Sequence, residues 1–308
     1  MRIVRGIKNF TERPPNPVLT LGNFDGVHLG HQAIFQRVVE RAREIGGTSV
    51  AFTFEPHPLK VLAPERSPQL LNTFHGKMRL IECAGIELVI CANFTRVFAD
   101  QHPEDFARDV LHKQIGVKEV YVGYDYAFGK GREGSIESLK RMGATYGFKV
   151  GIIEPVQVEG VVVSSSTARD LISNGRIAEA ARLLGRNYTI EGEVVHGSHR
   201  GHELGFPTAN LKTSNELIPA FGVYAVLAQV EGRVFKGVAS IGIRPTFDSG
   251  PVSVEVFLFE FHENLYGREM EVAFVERLRG EERFSGVNEL VRQIRKDVQR
   301  AQEVLKFL

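Results

Sequence analysis

Short, continuously apolar segments alternate with amphipathic ones through roughly the first 185 residues, and this alternation narrows the fold more than any single motif. "PVLTLGNF" (17–24), "SVAFTFEPHP" (49–58), "ELVICANF" (87–94), "EVYVGYDY" (119–126) and "KVGIIEPV" (149–156) read as strands. Between them, "HQAIFQRVVERAREIG" (31–46) places Ile34, Phe35, Val38, Val39, Ala42 and Ile45 on one broad face, as a helix does. Residues 102–116 and 133–147 read as further helices. Apolar strands without polar alternation, separated by helices, imply a parallel sheet covered on both faces.

The pattern changes near residue 185. Two short helical segments, 167–174 and 176–184, end in "LLGR". "YTIEGEVVHG", "GVYAVLAQV", "RVFKGVASIG", "VSVEVFLFEF" and "MEVAFVERL" then follow as strands joined by turns, the pattern of a barrel or sandwich. A last helix is expected over about 285–306. The expected organisation is an α/β domain, 1–184, and a mostly β domain, 185–308. A chain of 308 residues that is 43% hydrophobic has the material for two cores.

A net charge of +1 gives no case for a nucleic-acid or membrane-surface partner. No stretch reaches the length of a membrane span, and "MRIVRGIKNF" lacks the apolar region of a signal peptide. With Cys83 and Cys91 alone there is no disulfide framework, and a cytoplasmic location is expected. The sequence leaves the oligomeric state open.

Chemistry concentrates first in "GNFDGVHLGH". Gly22, Gly26 and Gly30 let the backbone turn sharply around Phe24, Asp25, His28 and His31. The helix that follows offers free N–H groups and the positive end of its dipole, which suits an anion. Imidazoles placed there can donate to phosphate oxygens. A transition-metal site from Asp25, His28 and His31, or a purely structural role, are the competing readings. Downstream, Ser164, Ser165 and Ser166 precede a helix carrying Arg169 in its first turn. Hydroxyls there can cap the helix or hold phosphate oxygens that the arginine neutralises.

"GKGREG" supplies a literal G-x-G-x-x-G at Gly129, Gly131 and Gly134, with Glu154 twenty residues beyond the last glycine. That raises a dinucleotide-binding oxidoreductase as an option. A basic loop closing on phosphates suits Lys130 and Arg132 better.

In the β half, "GEVVHGSHRGHELGFPTANL" carries His196, His199 and His202, which suggest zinc, but no cysteine lies nearby. Gly205 and Pro207 lead to Thr208 and Asn210, whose polar groups face one way in an extended strand and could hold Mg²⁺ and phosphate oxygens. Glu255 sits between Val254 and Val256, and alternation puts it on the face opposite Val254, Val256 and Leu258. It is the candidate base for a substrate hydroxyl; solubility of an edge strand is the competing reading.

Over nearly its whole length the chain resembles the prokaryotic bifunctional FAD synthetases, the riboflavin kinase/FMN adenylyltransferase family. The first half is similar at G-x-F-D-G-x-H-x-G-H, at "FTFEPHP" (Phe52 to Pro58), at "VGYDYAFG" and at the serine–arginine stretch. The second is similar at G-F-P-T-A-N, at "GVASIGIRPTF" and at "VEVFLFEF". Departures are Tyr126 for phenylalanine, Ser166 for threonine, Ala168 for a larger aliphatic, His202 for arginine, Ser240 for asparagine and Phe257 for histidine.

The resemblance implies a Rossmann-like nucleotidyltransferase domain and a six-stranded antiparallel barrel with a C-terminal helix. It implies that His28 and His31 stabilise the α-phosphate of ATP and the departing pyrophosphate. It places Phe54, Pro56, His57, Asp125 and Phe128 at the flavin. Thr208 and Asn210 would bind Mg²⁺ and ATP, and Glu255 would activate riboflavin. The implied reactions are riboflavin to FMN and FMN to FAD, each with ATP. A nucleotidyltransferase of another class, or a flavin-binding regulatory protein, are the alternatives.

Overall fold

The computed structural model describes residues 1–197, 204–243 and 252–308. Strands β1 (Arg2–Arg5), β2 (Val18–Leu21), β3 (Ser49–Glu55), β4 (Leu88–Asn93), β5 (Glu119–Gly123) and β6 (Lys149–Ile153) form a six-stranded sheet in the order β1-β4-β3-β2-β5-β6. Every neighbouring pair is parallel. Successive side chains point to opposite faces. Val18 therefore packs with Phe35 and Val38 of helix α1 (Leu29–Glu44), while Leu19 and Leu21 pack with Phe52, Phe106 and Leu139 on the other side.

The strands are shorter than the apolar runs. After Leu21 the chain turns, and Phe24 takes a left-handed φ of 52°. Short helices α2 (Pro58–Leu62), α3 (Phe74–Cys83) and α4 (Arg96–Ala99) follow in the connections. The segment expected as helix 102–116 begins as α5 (Pro103–Asp105) and widens into π-type turns from Phe106 to Ile115. Gly116 ends it at φ 71°. Helix α6 (Ile136–Tyr146) is capped by Ser135 and closes on Gly147 at φ 81°.

A small hairpin, β7 (Gln157–Val158) with β8 (Val161–Val162), precedes α7 (Ser165–Ser173) and α8 (Ile177–Leu184). Strands β9 (Tyr188–Val195), β10 (Ala209–Thr213), β11 (Gly222–Val230), β12 (Arg233–Ile243), β13 (Val252–Leu258) and β14 (Glu269–Arg279) close into an antiparallel barrel in the order β10-β13-β12-β11-β14-β9. Ile190, Tyr224, Val226, Ala239, Ile241, Val254, Val256 and Phe274 fill its core. Closure leaves no free sheet edge. Helix α9 (Val287–Val304) packs on the barrel's outside through Ala301 and Leu305 against Ala225. Asp297 on α9 accepts three hydrogen bonds, of 2.8–3.1 Å, from the Arg279 guanidinium.

The chain forms two compact units, Met1–Gln69 with Phe74–Ser164, and Leu70–Thr73 with Ser165–Leu308. Within the second, Ala168, Ile172, Ile177, Ala180 and Leu184 of α7 and α8 share a core with the barrel. Among the described residues no helix is long and apolar enough to cross a membrane.

Candidate active sites

The sheet order reverses between β2 and β5: β3 and β4 lie to one side of β2, whereas β5 lies on the other. Loops at the carboxyl ends of strands diverge at such a point, and the crevice between them is where open α/β sheets take ligands. The histidine turn follows β2, and the Asp125–Phe128 loop follows β5.

The turn is built from unusual backbone. Gly26 has φ 82°, and the non-glycine residues Phe24 and Val27 have φ 52° and 40°. A left-handed conformation costs an L-residue about 1–2 kcal/mol. Phe24 and Val27 are each only 1% exposed, so burial of their side chains offsets that cost. Gly22 cannot carry a side chain, since a Cβ there would lie 2.7 Å from the Phe24 ring. A Cβ on Gly30 would lie 3.1 Å from the His28 ring.

His28 is the residue that caps α1, and His31 lies in its first turn. Their rings stack with centroids 3.7 Å apart and planes 21° from parallel, and Phe24 meets His31 edge-on at 5.4 Å. Asp25 and His28 are both buried. Two imidazoles at a helix N-terminus form a donor array that suits phosphate oxygens.

Val163 lies beside Gly30, its carbonyl oxygen 3.8 Å from where a Cβ would stand, so Ser164 follows directly from the flank of the turn. Helix α7 begins at Ser165, earlier than the expected 167. Ser165 and Ser166 are therefore within its first turn and Arg169 one turn further on. Ala168 is fully buried in the second unit's core, which explains a small residue there.

A cavity of about 690 Å³ opens at the carboxyl ends of the strands. Gly22 and Asn23 after β2, Phe54 near the end of β3 and His57 after it, Phe94 after β4, and Asp125, Tyr126 and Phe128 after β5 all line it. Phe54 meets Phe94 edge-on at 5.4 Å. Burial pushes the Tyr126 phenol well above its ordinary value. Of the five residues expected at a flavin, four share this wall; Pro56 is not among the described lining residues. Asn23, Phe94, Phe98 and Phe106 also line the cavity; the three phenylalanines resemble ordinary core side chains in sequence, and Asn23 carries no mark that separates it from its neighbours in the turn.

The G-x-G-x-x-G loop is not a dinucleotide fingerprint. Gly134 and Phe128 exchange backbone hydrogen bonds of 2.9 and 3.0 Å, closing the loop on itself, and α6 starts only after the motif, at Ile136. Gly131 and Arg132 instead stand at the cavity.

On the barrel, cross-strand register assembles the second site. Asn210 pairs with Glu255, and Glu255 pairs with Ser240. Partners in register share a face, and this is the outer face, because Val254, Val256 and Ala239 point inward. The Thr208 hydroxyl donates to Glu255 at 3.3 Å. Gly197 presses on the Asn210 amide: a Cβ there would lie 2.0 Å from its Nδ2. Gly205 turns at φ 84°, and Pro207 is exposed just before Thr208. Phe206 meets Phe257 edge-on at 5.6 Å, and His196 stacks on Tyr266 at 3.8 Å. His199 and His202 lie outside the described residues.

Among the described residues no three His, Cys, Asp or Glu side chains come together as a metal-binding cluster. The hydroxyl, amide and carboxylate oxygens of Thr208, Asn210 and Glu255 form a hard donor set instead, which suits a cation of the Mg²⁺ kind.

Fold and site together define a two-unit transferase, with a nucleotidyltransferase-type sheet followed by a kinase-type barrel. A model of FAD synthetase matches residues 10–167, and one of riboflavin kinase matches 184–305. The chain is 38% identical over 305 residues to the bifunctional riboflavin kinase/FMN adenylyltransferase of Escherichia coli K12, covering 98% of this chain and 97% of that one. It is 37% identical over 299 residues to the enzyme of the same description from Pseudomonas fluorescens, covering 97% and 96%. A crystal structure from Streptococcus pneumoniae, described as a macrolide-efflux protein, superposes over 100% of both chains with TM-score 0.90 and 30% identity. The chain belongs to the bifunctional riboflavin kinase/FMN adenylyltransferase (FAD synthetase) family.

Proposed function

We propose that the barrel phosphorylates riboflavin to FMN and that the α/β unit adenylylates FMN to FAD, each reaction consuming one ATP. The observation that carries this is the presence, in one chain, of stacked imidazoles at a sheet switch point and a Thr208–Asn210–Glu255 row on a closed barrel.

In the barrel, Glu255 takes the proton from the ribityl 5′-hydroxyl. That oxygen attacks the γ-phosphate of ATP, and ADP leaves. Thr208 and Asn210 hold the ATP phosphates, and the same oxygens fit Mg²⁺, which when bound neutralises phosphate charge. Catalysis is then mostly alignment and charge stabilisation.

In the α/β unit, a phosphate oxygen of FMN attacks the α-phosphate of ATP, and pyrophosphate leaves. The nucleophile is already anionic, so no protein base is required. His28, His31, Ser165, Ser166 and Arg169 donate to the phosphates as charge builds. Gly22, Gly26 and Gly30 give the backbone room for them. Phe54, His57, Asp125 and Phe128 receive the flavin, where aromatic walls suit a flat ring system.

We assign the adenylyltransferase to residues 1–184 and the kinase to 185–308, although α7 and α8 pack with the barrel. The reading places the enzyme in the cytoplasm, supported by free Cys83 and Cys91. Its partners are the small molecules riboflavin, FMN and ATP. Incubating the chain with Mg²⁺ and ATP and either riboflavin or FMN, and separating the products by chromatography, tests it: unconsumed riboflavin removes the kinase assignment, and supplied FMN that gives no FAD removes the adenylyltransferase assignment.

A further inference from the structure

Lys77 is a lysine where the fold has no packing need for one. It lies on α3 beside Met78 and Ile81 and is 9% exposed. Its Nζ lies 3.4 Å from the Asn23 carbonyl oxygen and 3.5 Å from Thr53 Oγ1. Thr53 Oγ1 in turn donates to the same Asn23 carbonyl at 3.3 Å. Burial pushes the ammonium below its ordinary value, while Cys91, Glu55 and Asp25 pull it back toward the charged form. An unbranched apolar side chain would fill the same space without burying a charge.

The carbonyl it reaches occupies a sensitive place. Asn23 stands between Gly22, where β2 gives way to the cavity, and Phe24, whose φ is 52°. In a trans peptide the C=O and N–H point in opposite directions. Gripping the Asn23 oxygen therefore orients the Phe24 amide and restrains the rotation that sets φ of Phe24. The Phe24 ring in turn meets His31 edge-on at 5.4 Å, and His31 stacks on His28. A continuous path of contacts runs from the lysine to both imidazoles.

We propose that Lys77 is a positioning residue for adenylyl transfer: together with Thr53 it clamps the Asn23 carbonyl from beneath, and through Phe24 it holds the stacked His28–His31 pair in register with the transferring phosphate. The inference rests on the adenylyltransferase reading of that turn. Both contacts run to protein atoms, the Asn23 carbonyl and the Thr53 hydroxyl, so the clamp acts on the backbone and does not touch the reacting atoms.

The full-length enzyme with Lys77→Met tests it. FAD formation from FMN and Mg-ATP is expected to lose about tenfold or more in kcat. KM for FMN and ATP stays within about twofold, because ground-state binding is spared. Riboflavin phosphorylation by the same preparation stays at the wild-type rate, and the melting temperature does not fall. Lys77→Arg, which restores a cation, recovers part of the lost kcat. A wild-type kcat for FAD formation in Lys77→Met overturns the proposal. So do equal losses in both reactions with a lower melting temperature, which mark a structural role alone. If Lys77→Met does not fold, Thr53→Val decides: a loss of about threefold or more in kcat for FAD formation sustains the clamp, and an unchanged kcat removes it. If the unaltered chain makes no FAD, the adenylyltransferase reading itself falls, and the lysine's role with it.

Discussion

Asn210 on β10 stands directly across from Glu255 on β13, on the outer face of the barrel. Thr208, just ahead of β10, reaches the same carboxylate. An amide, a hydroxyl and a carboxylate from segments distant in sequence thus meet outside the barrel core, with Asn210 buried and Thr208 and Glu255 half-buried. Gly197 completes the arrangement by leaving room for the Asn210 amide.

Glu255→Gln keeps the shape and removes the base. Riboflavin phosphorylation is expected to fall about 10²-fold or more, while conversion of supplied FMN to FAD continues. Chromatography of both products reads this directly; undiminished phosphorylation would show that Glu255 is not the base.

Alanine at His28 or His31 removes one donor of the stacked pair. FAD formation is expected to drop about 10²–10³-fold, the usual loss when a donor aimed at developing charge is deleted. Phosphorylation of riboflavin serves as the internal control. A wild-type rate of FMN adenylylation in both variants rules out the histidine turn as the adenylyl-transfer site.

Gly197→Ala places a methyl group where the Asn210 amide now lies. The amide must move, and KM for ATP in the kinase reaction is expected to rise about tenfold. FAD formation from FMN stays unchanged. Kinetics of the two reactions measured separately distinguish this from a general loss of fold.

Arg41 grips Glu119 through two nitrogens at 2.8 and 2.9 Å and holds its carboxyl below the ordinary glutamate range. The lowered folded-state value makes this a stabilising group above the unfolded-state pKa. Its contribution is lost as pH falls through the folded-state pKa. In Glu119→Gln the stability of the first unit should decline less steeply on acidification, although it starts lower at neutral pH. Urea midpoints across the acid range check this; identical slopes would mean the pair carries no such linkage.

Asp297 is 6% exposed and Arg279 16% at their side chains. Replacing Asp297 with alanine leaves the guanidinium without its bidentate partner, at an expected cost of about 3 kcal/mol. Denaturant melts followed by circular dichroism should show a destabilised second unit, with the α/β unit unaffected.

The glycine-rich turn after β2 and the lone carboxylate of β13 were legible because each is a local pattern: glycines at a strand end, one carboxylate in an apolar strand; the serines were expected ahead of a helix, whereas α7 already begins at Ser165. Alternation alone put Glu255 on the face opposite Val254 and Val256, and the barrel confirms that placement. β1 escaped notice because "RIVR" is flanked by arginines. The widened turns of Phe106–Ile115 look like an ordinary helix in periodicity. The cavity walls Phe94, Phe98 and Phe106 come from separate segments and carry no local mark of a site.

By itself the sequence determined the alternation of strands and helices, the change to antiparallel strands and the residue types able to handle phosphate. Those depend on periods of a few residues and on side-chain chemistry, which any short window contains. Only the tertiary structure decided the strand order that puts β2 beside β5, the closure of the barrel and the register that sets Asn210 against Glu255. It alone placed Lys77 under the Asn23 carbonyl. These are contacts between distant segments, selected by burial of whole faces at once, and no local pattern encodes which face meets which.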